Sequence, residues 1–221
     1  EPSDSEHPNP RKEEWDGDWS LLMVTRNGVI KKSDASAFKD VRRSGLIAIT
    51  LKDDDALIAA RFVGKKDEVV LITEQGQAIR FKESDVREMG RTAAGVAGVK
   101  LAAKDRVVSA DVLKSGATDR EILIVTEHGY GKTTPAKEYK VQKRGGSGIK
   151  TAKVTDKTGL IVRGIVIDGE ERTEGELVIM SRKGQVIKLP LKDVPTLGRQ
   201  TQGVRVMKMR AGDAIASIVF V

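Results

Sequence analysis

Leu22–Lys31 reads LMVTRNGVIK, and the phrase returns three times: LITEQGQAIR over Leu71–Arg80, IVTEHGYGKT over Ile124–Thr133, and VIMSRKGQVIK over Val178–Lys188. Each copy is an apolar run, a Thr or Ser, two polar residues, a Gly, then a short stretch with a basic residue. The marker glycines are Gly28, Gly76, Gly129 and Gly184, spaced by 48, 53 and 55 residues. A period near that length identifies a propeller or an array of like units, because each unit must stack on its neighbours to bury its apolar faces.

Outward from the marker glycine, each copy parses into about four strands. In the first they are Leu21–Thr25, Val29–Ser33, Leu46–Leu51 and Ala56–Val63. Asn27-Gly28 between two β-prone runs predicts a tight hairpin of type I′. The third strand is expected at Val96–Leu101, Ile149–Val154 and Val204–Met209 in the later copies, and the fourth at Val107–Leu113, Leu160–Ile167 and Ile215–Val221. A longer connection links strands two and three, polar at first, then an Arg or Lys and a Gly-bearing stretch. No copy holds a long run of helical apolar periodicity, although each connection has room for one helical turn. The reading is an all-β array of about sixteen strands in four four-stranded blades, with modules at about 19–65, 66–116, 119–169 and 175–221.

The chain has 221 residues, 39% hydrophobic and 4% aromatic, so its core rests on Val, Ile, Leu and Ala. It has no cysteine, which removes disulfides and thiolate metal sites and fits a reducing compartment. No apolar run approaches the roughly 18 residues of a membrane helix, and no signal-peptide pattern is present. A chain opening on Glu1 rather than Met reads as a fragment or processed product, soluble and intracellular. Residues 1–18 hold seven acids against two bases, a net of −5, so with the whole at +7 the remainder carries +12. An acidic, Pro-containing leader with the composition of a disordered linker therefore precedes a strongly basic body. Such a body points to a polyanionic partner.

Bases recur at matching places. Past the marker glycines stand Lys31, Lys32, Arg80, Lys132 and Lys188; ahead of a second glycine stand Arg42, Arg43, Arg91, Lys143, Arg144 and Arg199. Stacked modules would repeat these charges as a track suited to a phosphate backbone. The alternative is a set of edge lysines that block strand addition. The stretch Lys140–Lys150, KVQKRGGSGIK, is the sharpest signal: four bases, no acid, and glycines at Gly145, Gly146 and Gly148 that permit close backbone approach. Arg144 is expected to chelate a phosphate there, with Gln142, Lys143 and Lys150 beside it. Val194–Gly212 is similarly one-signed, with Arg199, Arg205, Lys208 and Arg210.

Other motifs fall away. Gly131-Lys132-Thr133 resembles the end of a P-loop, but the required first glycine is replaced by Thr126. His7 and His128 are the only histidines, and Asp53-Asp54-Asp55 reads as an acidic turn. No catalytic, metal or cofactor site is expected, and the low aromatic content argues against a single-strand stacking platform.

The modules VTRNGVIKK, ITEQGQAIRFKESDVREMGRTAAGVAGVKL, EHGYGKTTPAKEY and GRQTQGVRV resemble the C-terminal domain of the bacterial DNA gyrase A protein, over about residues 20–221. That resemblance implies a β-pinwheel, a propeller-like disc whose blades exchange strands, and the wrapping of duplex DNA on a basic outer rim. The family's heptad Q-R-R-G-G-K-G has its counterpart in Gln142-Lys143-Arg144-Gly145-Gly146-Ser147-Gly148, with Lys and Ser substituted and in the third module rather than the first. The four modules look most like the last four of the family's six. By resemblance the domain is non-catalytic, cytoplasmic and nucleoid-associated, and monomeric in isolation. Its partners would be duplex DNA, the rest of the gyrase A protein and, through it, gyrase B, whose ATP hydrolysis drives negative supercoiling. The competing readings are the related domain of topoisomerase IV and a protein-interaction propeller with an incidental basic surface.

Overall fold

The computed structural model describes residues 19–41, 43–52, 54–117 and 119–221. The leader expected as a linker, Arg42 and Asp53 lie outside these residues.

Fifteen strands are present among the described residues. The first module contributes β1 (Trp19–Thr25), β2 (Val29–Asp34) and β3 (Leu57–Gly64), and the second β4 (Glu68–Thr73), β5 (Gln77–Lys82), β6 (Val96–Ala97) and β7 (Val107–Leu113). The third contributes β8 (Glu121–Thr126), β9 (Tyr130–Pro135), β10 (Ile149–Lys150) and β11 (Ile161–Ile167), and the fourth β12 (Glu176–Ser181), β13 (Val186–Pro190), β14 (Val204–Arg205) and β15 (Ile215–Phe220). They form four antiparallel sheets in the orders β3-β1-β2-β6, β7-β4-β5-β10, β11-β8-β9-β14 and β13-β12-β15. Each of the first three blades thus takes its last strand from the following module. The expectation of four strands per blade holds for three sheets, and the fourth has three.

The sequence explains why the sheets stack. Along β4 (EVVLIT), Val69 and Leu71 pack toward the first blade, whereas Val70 and Ile72 pack toward the third. Alternate residues of a strand face opposite sides, so a continuous apolar run marks a sheet covered on both faces. β8 does the same with Ile122 and Ile124 against the second blade and Leu123 and Val125 against the fourth. The core is therefore three separate layers, one at each junction. β3, β7 and β11 pack side by side, so β6, β10 and β14 form the opposite, outer edge of their sheets. Along the inner side Ser109 Oγ accepts from Gly164 N at 2.9 Å and Asp111 Oδ2 from Val166 N at 2.9 Å, tying adjacent blades together.

The hairpins differ from expectation. Gly28 N donates to Thr25 O at 3.0 Å with Gly28 at φ +79°, and Asn27 is not among the residues with positive φ. This is a type I turn closed by a left-handed glycine, not type I′. The exchanged strand dictates the glycine: Gly28 O accepts Gly98 N, Gly76 O accepts Thr151 N, and Gly129 O accepts Val206 N, all between 2.8 and 2.9 Å. A Cβ on Gly76 would lie 2.7 Å from Ala152 O, and one on Gly129 would lie 2.3 Å from Met207 O.

The long third strands are a correction. Only two residues of each pair, at β6, β10 and β14, and residues 46–51 form no strand. The ladder ends early because the chain there turns inward over the neighbouring hairpin. The connections each carry a 3₁₀ turn, at Ala35–Phe38, Glu83–Asp85, Ala136–Glu138 and Leu191–Asp193. A short helix, α1 (Gly169–Glu174), was not anticipated; Asp168 and Glu171 form its capping box.

Candidate nucleic-acid interface

The bases that follow each marker glycine occupy two different positions. Three residues past it, on β2 and β9, stand Lys31 and Lys132, both with 0% of their surface exposed. Lys31 Nζ donates to Ala48 O at 2.5 Å and to Arg91 O. Lys132 Nζ donates to Gly198 O and Arg199 O, each at 2.7 Å, and to Thr201 Oγ1 at 3.2 Å. Burial pulls the Lys132 ammonium down to about 8, with Glu138 opposing the shift and Arg199 adding to it. Burial lowers Lys31 too, helped by the Arg91 charge. These two lysines pin connections onto a blade, and the expectation that they belong to an outer phosphate track is corrected: a wholly buried ammonium cannot meet a phosphate.

Four residues past the glycine stand Lys32, Arg80, Thr133 and Lys188. Lys32 Nζ lies 2.5 Å from Glu83 Oε2 in a nearly buried ion pair. Arg80 Nε donates to Glu68 Oε2 at 2.6 Å, and its Nη1 reaches Ala136 O at 2.7 Å and Tyr139 O at 3.2 Å. It thereby clamps the 3₁₀ turn of the next module. In the third blade, where Thr133 replaces the base, Arg172 of α1 supplies the clamp instead. Its guanidinium donates to Leu191 O and Val194 O and pairs with Glu121. Lys188 pairs with Glu176 and is exposed.

The glycine-rich loop is largely engaged by the protein itself. Gln142 N donates to Arg80 O and Gly145 N to Gly98 O, both at 2.7 Å, while Gly146 O accepts Lys100 N at 2.9 Å. Gly148 has φ +72°, and a Cβ there would lie 2.5 Å from Ala78 O. Arg144 Nε donates to Asp85 O at 2.7 Å and Nη1 to Ala97 O at 3.0 Å. The fork expected to chelate phosphate is already held by carbonyls of the second module. Arg199 follows the same logic, with Nη1 on Lys150 O at 2.7 Å.

What the loop leaves at the surface is lysine. Lys137, Lys140, Lys143, Lys150, Lys153 and Lys157 are all exposed, as are Arg43, Arg91 and Arg205. Lys150 and Arg205 sit on the edge strands β10 and β14, opposite the inner strands. Arg205 Nη2 donates to Tyr130 OH at 3.2 Å, a bond that pulls the phenol below its usual range. Lys157 Nζ lies 5.7 Å from the same ring's centroid. Sequence reasoning passed over Lys137, Lys153 and Lys157; their signal was a run of seven bases against two acids between residues 137 and 157. An open groove of about 700 Å³ between the second and third blades has mixed charge, with Lys66, Lys114 and Lys137 facing Glu68, Asp119 and Glu121. Among the described residues no cluster of three His, Cys, Asp or Glu side chains is placed to hold a metal, and no helix is long and apolar enough to cross a membrane.

Stacked antiparallel sheets, three of the four closed by a strand from the next repeat, define a β-pinwheel, a propeller-like class of all-β protein. Within that class the chain belongs to the family described as DNA gyrase C-terminal domain, beta-propeller, whose profile matches residues 20–63, 67–114, 120–168 and 175–221. The DNA gyrase A protein of Staphylococcus epidermidis is 42% identical over 198 residues, covering 90% of this chain and 22% of that protein. The Staphylococcus aureus protein is 39% identical over the same length, so the chain spans about a fifth of these relatives. A solved DNA gyrase A C-terminal domain superposes with TM-score 0.79 at 29% identity, covering 91% of this chain and 65% of its own. The C-terminal domain of a DNA topoisomerase IV gives 0.84 at 26% identity, covering 94% and 63%.

Proposed function

We propose that this chain binds duplex DNA with little sequence preference and bends and wraps it, as a non-catalytic module of a DNA gyrase. The observation that carries the reading is the set of six exposed lysines between residues 137 and 157, together with exposed Arg205 on the edge strand β14 and exposed Arg91 in the connection ahead of β6. Lysines displace condensed counterions from phosphates without reading bases. Arg43 and Lys188 join Lys143 and Lys150 of that set as the contacts retained from the sequence. Arg80, Arg144 and Arg199 act one step back, holding the loops that present those lysines. Bending a short site by 40–90° costs on the order of 1–6 kcal/mol, which several spread phosphate contacts offset. In the whole enzyme the module would work beside the rest of the gyrase A protein and with gyrase B in the bacterial cytoplasm, supplying DNA geometry to the supercoiling reaction.

The higher TM-score with the topoisomerase IV domain favours a second reading, the same fold with binding but weaker wrapping. Nicked circular DNA ligated in the presence of the chain separates the two. After protein removal, a one-directional shift in linking number supports chiral wrapping. Retardation in a gel without such a shift supports the second reading, and no retardation at low salt rejects DNA binding.

A further inference from the structure

One corner of the third blade departs from its counterparts at three positions together. At each marker hairpin a backbone N–H reaches across to the turn ahead of β3, β7, β11 or β15. Asn27 N donates to Asp55 Oδ1 at 2.9 Å, Gln75 N to Asp105 Oδ1 at 3.1 Å and Lys183 N to Asp213 Oδ1 at 3.1 Å. In the third module that acid is replaced by Thr158, and His128 N donates to its carbonyl at 3.0 Å. The residue after the marker glycine is Val29, Gln77 and Gln185 in the other copies, but Tyr130 here. The edge residue paired with it is Ala97 for Val29 and Lys150 for Gln77, but Arg205 for Tyr130.

The three exchanges gather two cations around one phenol and remove the carboxylate that would answer them. Arg205 Nη2 donates to Tyr130 OH at 3.2 Å, and its Cζ lies 5.7 Å from the ring centroid, as does Lys157 Nζ. His128 Nδ1 donates to Lys157 O at 3.2 Å, fixing the turn that carries the lysine. Glu127 is spent on Leu160 N at 3.0 Å, and among the described residues neither Lys157 nor Arg205 has an ion-pair partner. Two like charges held this close raise the energy of the corner until an anion joins them. The bond from Arg205 and the charge of both bases hold the phenol below its usual range. Those contacts use its oxygen as an acceptor, so its proton has no acceptor among the described residues.

We infer that Tyr130, Lys157 and Arg205 form a seat for a single phosphate group. The guanidinium N–H groups not used on Tyr130 and the Lys157 ammonium supply the charge, and the phenol O–H is the third donor. Tyr130 is also the positioning residue of the seat, because its ring and oxygen hold both cations before any anion arrives. The exposed lysines of the glycine-rich loop have no such organiser. A DNA backbone and free inorganic phosphate share this chemistry; that the phosphate belongs to DNA rests on the function proposed above. On a duplex the seat fixes one backbone position against the third blade, setting register without reading bases.

Tyr130→Phe keeps the ring and both charges and removes only the hydroxyl, so it should melt within a few degrees of the wild type. Its affinity for a short duplex should fall about tenfold, the worth of one charge-assisted hydrogen bond. The salt slope should stay unchanged, whereas Lys157→Ala should flatten it by roughly 0.9. Carbon-13 at tyrosine Cζ gives two resonances, from Tyr130 and Tyr139, and Tyr130→Phe assigns the first by its loss. Inorganic phosphate and, separately, the duplex should each shift the Tyr130 resonance, and Lys157→Ala should weaken both responses. A resonance that neither probe moves would overturn the inference. So would wild-type affinity in Tyr130→Phe alongside weakened binding in Lys143→Ala with Lys150→Ala, an outcome that leaves the DNA reading standing. A shift with inorganic phosphate in a chain that fails to bind the duplex would support the seat and reject DNA as its source of phosphate.

Discussion

Lys132→Met tests whether the buried ammonium is a structural pin. Methionine fills the same space but donates nothing, so Arg199 O loses its partner, while Gly198 O keeps the Thr201 hydroxyl at 2.8 Å. An acceptor left unpaired costs about 1–3 kcal/mol. Removing the lysine also relieves a penalty. Its proton is held at about 8 in the fold against 10.5 in the free side chain, worth about 3 kcal/mol. The two contributions nearly cancel, so at pH 7 the variant should lie within about 2 kcal/mol of the wild type. Between those two pH values the unfolded chain holds a proton that the folded chain has released, so wild-type stability rises with pH there, and the variant lacks this contribution. The gap should therefore widen by about 2 kcal/mol between pH 8 and 9.5. Urea denaturation of both proteins across that range measures it directly. A gap that stays constant, or narrows as the pH rises, would refute the reasoning.

Gly129→Ala and Gly184→Ala share the same backbone strain, at φ +77° and +81°, but only the first drives a Cβ to 2.3 Å from a carbonyl. Gly129→Ala should cost at least about 2 kcal/mol more than its partner, read from denaturation midpoints. Arg172→Ala strips Leu191 O and Val194 O and leaves the Glu121 carboxylate with the Thr196 hydroxyl but without its counter-charge, so a loss of about 3 kcal/mol is expected, with hydrogen exchange at residues 191–196 rising first. For DNA, Lys143→Ala with Lys150→Ala should weaken binding uniformly across sequences and flatten the log–log salt slope by roughly 0.9 for each phosphate no longer neutralised; titrations at several salt concentrations check this. Arg144→Ala should instead lower the melting temperature, because its guanidinium holds Asp85 O and Ala97 O.

The periodic features were the readable ones. Apolar runs such as EVVLIT and EILIVT announced strands, and the recurring glycine announced the hairpins. Strand exchange was not written in any local pattern, because the partner of Val29 is Ala97, a whole repeat away. The resemblance supplied it, and the parsing by spacing alone did not. Within the candidate site, the charge run around Lys143 was visible, but whether a base faces water or a neighbouring carbonyl was not. Lys31 and Lys32 are adjacent in sequence and point to different tasks, one inside a blade and one across a junction. Only the pleat phase separates them, and a basic residue on a β-strand carries no mark of its phase. The same ambiguity hid the substitution of Arg172 for a base at Thr133.

The pairing of Val29 with Ala97, Ala78 with Ile149 and Gly131 with Val204 has a consequence for synthesis. A blade emerging from the ribosome lacks its final strand until the next repeat has been translated, some 68 to 73 residues later. At about 5–20 residues per second that is a wait of roughly 4–14 seconds with an open edge. Folding is thus metered by the growing chain, one blade behind the point of elongation. During each wait the nascent protein offers an unpaired β-edge that a chaperone, or another nascent copy on the same message, is positioned to occupy.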